Sequence, residues 1–64
     1  MQINGQESYL DAGISVSEML ETLDIEAEKV IIEINLEIIE KDKYSETKLH
    51  EDDKVEIITF MGGG

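Results

Sequence analysis

The residues with the clearest chemical potential are the last three, Gly62-Gly63-Gly64. A run without Cβ atoms is thin enough to enter a narrow channel in another protein. Together with Phe60 and Met61 it can reach about 17 Å, at roughly 3.4 Å per residue. The carboxylate of Gly64 has no side chain beside its carbonyl carbon, so a nucleophile can approach from either side. A carboxylate is a poor electrophile and needs activation, for instance as a mixed anhydride with AMP. The sequence holds no phosphate-binding glycine loop leading into a helix, so activation is expected to come from another protein. A frayed chain end is also often glycine-rich. What precedes the glycines separates the two readings.

The other chemically able residues form no constellation. His50 is the single histidine and has no acid and nucleophile at a recognisable spacing, which leaves a catalytic triad unsupported and points to a loop residue. Glu51-Asp52-Asp53 lacks the spaced ligands and central glycine of a calcium loop, so no metal site is expected. There is no cysteine, which rules out disulfides, thiolate metal sites and cysteine nucleophiles. Residues 26–29 and 37–43 read as charged, solvated segments, and Tyr44 as a core anchor beneath a loop rather than a catalytic acid. An intrinsic enzyme is not expected.

Composition bounds the rest. A chain of 64 residues suffices for one domain and buries roughly 60% of the surface of its unfolded form. A deep catalytic cleft is hard to build from so little material, which favours a carrier or binding module. Sixteen Asp and Glu against five Lys give a formal net charge of −11. Nucleic acid and anionic membrane surfaces are therefore excluded as expected partners, because both demand clustered Lys or Arg. A basic protein is the natural complement, and the acids also keep a small protein soluble. Residues 1–5 do not read as a signal peptide, and no apolar stretch approaches the ~20 residues that span a bilayer. With no disulfide staples, a cytoplasmic location is expected.

Met1-Gln2-Ile3 alternates as a strand, and Asn4-Gly5 is a strong two-residue hairpin signal. The return strand is expected over residues 6–11, with Tyr9 or Leu10 pointing inward. Ser15 followed by Glu18 forms a capping-box pattern. Val16, Met19, Leu20 and Leu23 then recur as one apolar stripe, which predicts a helix over residues 16–24. A strand follows over 30–35 with Val30, Ile32 and Ile34 on one face, and Ile38-Ile39 marks a short strand. Residues 42–49 read as a loop with a helical turn near Tyr44. Glu51-Asp52-Asp53 turns the chain into a last strand over 54–60, with Val55 and Ile57 on the inner face. One helix on a mixed sheet of four or five strands is an α+β layer arrangement. This order is that of the β-grasp fold of ubiquitin, with a domain over 1–60 and a flexible glycine-rich tail over 61–64.

If the helix covers one sheet face, Ile58, Phe60 and Ile31 lie on the other. Exposed apolar patches mark protein contacts, and this one would lead into Met61, Gly62, Gly63 and Gly64. It is the expected docking surface for a partner that takes up the tail.

Across its length the chain resembles the ThiS family of sulfur carrier proteins of thiamin biosynthesis. The resemblance rests on Met1-Gln2-Ile3-Asn4-Gly5, on Ser15-Val16-Ser17-Glu18-Met19-Leu20-Glu21-Thr22-Leu23, on Ile32-Glu33-Ile34-Asn35, and on Val55-Glu56-Ile57-Ile58-Thr59-Phe60-Met61-Gly62-Gly63-Gly64. It implies a non-enzymatic carrier whose Gly64 is adenylated by a ThiF-like E1 adenylyltransferase using ATP and magnesium. Sulfur from a donor protein would convert the adenylate to a thiocarboxylate, and a ThiG-like thiazole synthase would consume it. The chain itself would bind no cofactor. Other clients known among similar carriers are molybdopterin and amino-acid biosynthesis; a ubiquitin-like modifier or an inert binding module would share the fold. Three positions depart from the family pattern. Asp52-Asp53 stands for Gly-Asp, Tyr44 for a tryptophan, and Asn35-Leu36 for Asn-Gly, so that last turn is expected to take another type.

Overall fold

The computed structural model describes residues 1–60. The expected tail, Met61 to Gly64, lies outside them. The elements are β1 (Gln2–Ile3), β2 (Gln6–Glu7), α1 (Val16–Thr22), a 3-10 turn (Ala27–Lys29), β3 (Val30–Ile34), β4 (Glu37–Ile39), a second 3-10 turn (Lys41–Lys43) and β5 (Lys54–Thr59). The five strands form one mixed sheet in the order β2-β1-β5-β3-β4. β5 runs parallel to β1 and antiparallel to β3. This is the β-grasp arrangement, with the single helix on one face.

The helix starts where the sequence says. The Ser15 hydroxyl accepts from the Glu18 amide at 3.0 Å, and the Glu18 carboxylate accepts from the Ser15 amide at 2.8 Å. Two of the orphan donors at the helix start are thereby satisfied, and the Val16 and Ser17 amides donate to the Thr47 and Tyr44 carbonyls. The helix ends sooner than the stripe suggests. Asp24 takes a left-handed φ of 58°, its amide donates to the Glu21 carbonyl at 3.1 Å, and the Ile25 amide donates to that of Leu20 at 2.8 Å. This is a Schellman cap. It replaces the expected end at residue 24 with one at Thr22 and leaves Leu23 38% exposed, so the stripe's buried members are Val16, Met19 and Leu20.

The core lies between the helix and the inner sheet face, where Val30, Ile32, Ile34, Val55 and Ile57 are buried with Met1, Tyr44 and Leu49. Tyr44 is the anchor expected from sequence. Leu49 is fully buried because its segment is stitched to the approach of the helix. The Gly13 amide donates to the Leu49 carbonyl, the Leu49 amide to that of Ile14, and the Val16 amide to that of Thr47.

Two further expectations are corrected. The return strand spans Gln6–Glu7 rather than residues 6–11. Tyr9 stands in solvent, while Leu10 packs against the core. The Asn35-Leu36 turn does not change type. Asn35 (φ 52°) and Leu36 (φ 72°) both hold the positive φ found at Asn4 (52°) and Gly5 (81°) in the first hairpin. A tight two-residue connection demands these signs because they match the strand twist, and the tertiary pairing imposes them on a leucine.

Two outcomes follow from these termini and turns. Leu36→Gly removes the Cβ strain of a left-handed leucine, offset in part by glycine entropy. It should raise stability by about 0.5–1 kcal/mol, read as Tm; an unchanged or lowered Tm would show that Leu36 carries no such strain. The backbone hydrogen bond from Ser15 holds the Glu18 carboxyl below the usual carboxylate range. A depressed folded value stabilises the fold above the unfolded value and loses that contribution as pH falls through the folded one. The Tm difference between the natural chain and Glu18→Gln should therefore be largest at neutral pH and shrink in acid. A difference independent of pH would contradict the assignment.

Candidate functional site

The end of β5 is the point from which the glycine tail departs, so the candidate site is built around that strand. β5 has a neighbour on each side, and both turns of the sheet reach across to it. The Asn4 carboxamide oxygen accepts from the Ile57 amide at 2.7 Å, while the Asn4 amide donates to the Val55 carbonyl at 2.8 Å. On the other side the Asn35 carboxamide oxygen accepts from the Lys54 amide at 3.1 Å, and the Asn35 amide donates to the Lys54 carbonyl at 2.9 Å. Each asparagine turn thus extends the strand ladder with its side chain.

Asp53 fixes the entry to β5. It is buried, and its carboxylate accepts from the Asn35 side-chain amide at 3.0 Å and from the His50 amide at 2.8 Å. The acidic turn before the last strand is therefore structural at Asp53. His50 contributes its backbone to this turn. Among the described residues no group of three or more His, Asp or Glu could hold a metal ion, and no helix is long and apolar enough to cross a membrane.

The face opposite the helix carries the predicted residues. Ile31 and Ile58 are directly paired across β3 and β5, each about two-fifths exposed. Phe60 follows at the end of β5, also exposed, and its amide donates to the Lys29 carbonyl at 3.2 Å. That bond ties the last described residue to the 3-10 turn before β3. Met61, Gly62, Gly63 and Gly64, the other residues expected here, lie beyond it and outside the described part.

Register adds residues that sequence reading left out. Glu33 of β3 lies directly opposite Glu56 of β5, and Ile38 of β4 lies opposite Glu33. Ile38 is 67% exposed. Strand parity already puts Glu33 with Ile31 and Glu56 with Ile58. Only the long-range register brings the two carboxylates together. Asn4, Asn35 and Asp53 were equally hidden, because an Asn or Asp in a turn reads as turn chemistry until its partner strand is known.

A sheet with one helix, an uncovered apolar face and a central strand running out into glycines defines a ubiquitin-like carrier or modifier scaffold. Comparison with known proteins narrows this. The ThiS family profile matches residues 1–64. The sulfur carrier protein ThiS of Bacillus subtilis is 38% identical over 66 residues, covering 100% of this chain and 98% of that protein. The crystal structure of the thiamine biosynthesis protein ThiS from Geobacter metallireducens superposes with a TM-score of 0.84 at 36% identity, covering 98% of this chain and 96% of that one. A thiazole synthase from Paramagnetospirillum magneticum is 40% identical over 62 residues; the match covers 97% of this chain but spans only 19% of that protein's length. This chain belongs to the ThiS family.

The latch around Asp53 is testable apart from any activity. Asp53→Ala leaves the Asn35 and His50 donors without their acceptor and should lower stability by about 2 kcal/mol in denaturant melts. A loss within 0.5 kcal/mol would mean the carboxylate does not anchor β5.

Proposed function

We propose that this chain is a sulfur carrier for thiamin biosynthesis that holds sulfur as a thiocarboxylate on Gly64. The observation that carries the reading is the family match over the full chain, terminal glycines included. The fold supports it: β5, the central strand of the sheet, leads in sequence toward those glycines. We take residues 1–60 as the folded domain and residues 61–64 as the tail that enters partners, with the chain acting as a protein co-substrate rather than an enzyme.

In this cycle a ThiF-like adenylyltransferase uses ATP and magnesium to convert the Gly64 carboxylate to an acyl-adenylate, releasing pyrophosphate. A sulfur donor protein supplies sulfur at the sulfide oxidation level. The sulfur bonds to the carbonyl carbon, AMP leaves, and a thiocarboxylate remains. Its sulfur is a strong, soft nucleophile at neutral pH and stays tethered. A thiazole synthase is the client. The occurrence of a similar segment inside a thiazole synthase chain supports that pairing, since it keeps carrier and consumer together. Ile31, Ile58 and Phe60 form the docking surface beside the tail.

Intact mass of the chain after incubation with a ThiF-like enzyme, ATP, magnesium and a sulfur donor tests the reading. The expected result is a gain matching one sulfur in place of one oxygen, absent when Gly64 is deleted. No gain with an enzyme active on its own carrier would refute it.

A further inference from the structure

The uncovered sheet face contains a defect as well as a patch. Glu33 and Glu56 are paired directly across β3 and β5. Like charges in that position repel and weaken a sheet. The ion pairs among the described residues join the Met1 amine to Glu7 and Lys29 to Glu26, so neither Glu33 nor Glu56 has a cation. On the same face, the next cross-strand pair toward the end of β5 is Ile31–Ile58, the intervening Ile32–Ile57 pair facing the core. Two carboxylates and two isoleucines thus form adjoining rows on one face, and the face is continuous with the strand that carries the tail.

We propose that the Glu33–Glu56 pair is a receptor for an arginine of the adenylating partner, whose guanidinium bridges both carboxylates while an apolar surface covers Ile31 and Ile58. This rests on the carrier reading above and specifies the partner's chemistry at its docking face. Opposed residues of an antiparallel pair have Cβ atoms about 4.5–5.5 Å apart. A planar group with five donors can bond both carboxylates across such a gap, whereas an ammonium is a point charge that satisfies one better than two. The repulsion present in the free chain becomes attraction in the complex. Docking is then favoured by relief of a strain that the isolated fold sustains.

The signature is a pair of opposite effects. Glu33→Gln/Glu56→Gln should weaken binding to the ThiF-like enzyme of the same organism by about tenfold or more, measured by calorimetry without ATP. It should also raise the Tm of the free chain by a few degrees. Glu40→Gln/Glu46→Gln, the same loss of two negative charges at exposed positions between β4 and β5, should leave the dissociation constant near that of the natural chain. An unchanged constant in the Glu33/Glu56 variant, a lowered Tm, or an equal weakening by Glu40→Gln/Glu46→Gln would overturn the receptor. These outcomes are separable from failure of the carrier reading. With saturating enzyme the Glu33/Glu56 variant should still acquire the sulfur mass gain, whereas absence of that gain in the natural chain would refute the carrier reading itself.

Discussion

The structure depends on the last strand being the central one. β5 is flanked by β1 and β3, and its ladder is lengthened on both sides by asparagine side chains from the two tight turns. The bond from the Ile57 amide to Asn4 joins residues 53 positions apart. Such non-local closure has to be completed before its contacts stabilise anything. The sheet is therefore complete only when the last strand of the chain is in place. The strand that precedes the glycines in sequence is thereby held by a neighbour on each side.

Size explains why one sheet face is left uncovered. A chain of this length supplies one helix of seven residues, too short to persist without tertiary packing. It is held by its capping box, by its Schellman cap and by Val16, Met19 and Leu20 against the sheet. The segment from Lys41 to Leu49 seals the remaining side of the core with Tyr44 and Leu49. Nothing among the described residues remains to cover Ile31, Ile58 and Ile38. The uncovered face follows from building a β-grasp sheet with minimal material.

Legibility in the sequence followed the range of the interactions. The first hairpin, the capping box, the β3 and β5 faces and the buried Tyr44 were readable because each is decided by residues a few positions apart. The early end of α1 was not, because Asp24 in a left-handed cap looks like an ordinary helix-surface acid. The short β2 was not either. Nothing in residues 8–11 announces that Tyr9 faces solvent, and the pairing simply stops after Glu7. Asn35-Leu36 misled because leucine disfavours positive φ, yet the registers of β3 with β4 and β5 outweigh a local penalty of about 1 kcal/mol. The patch at Ile31 and Ile58 was legible from parity alone. The opposition of Glu33 and Glu56 needed the register.

Several polar side chains of this fold are engaged by its backbone. Asn4 and Asn35 bond strand amides, Asp53 bonds a turn, and Ser15 and Glu18 bond each other's amides. Each is held where it is by a structural partner, and moving it for chemistry would release a strand or a helix end. Glu33 and Glu56 differ in that the register sets the two carboxylates directly opposite each other, and like most acids among the described residues neither is in an ion pair. A marginally stable domain retains such a repulsion only at a cost. On a face that also exposes Ile31 and Ile58, that cost has a physical return if a partner's cation removes it. The same acids that repel in the free chain would then tie recognition to the state in which Gly64 is in the partner's hands.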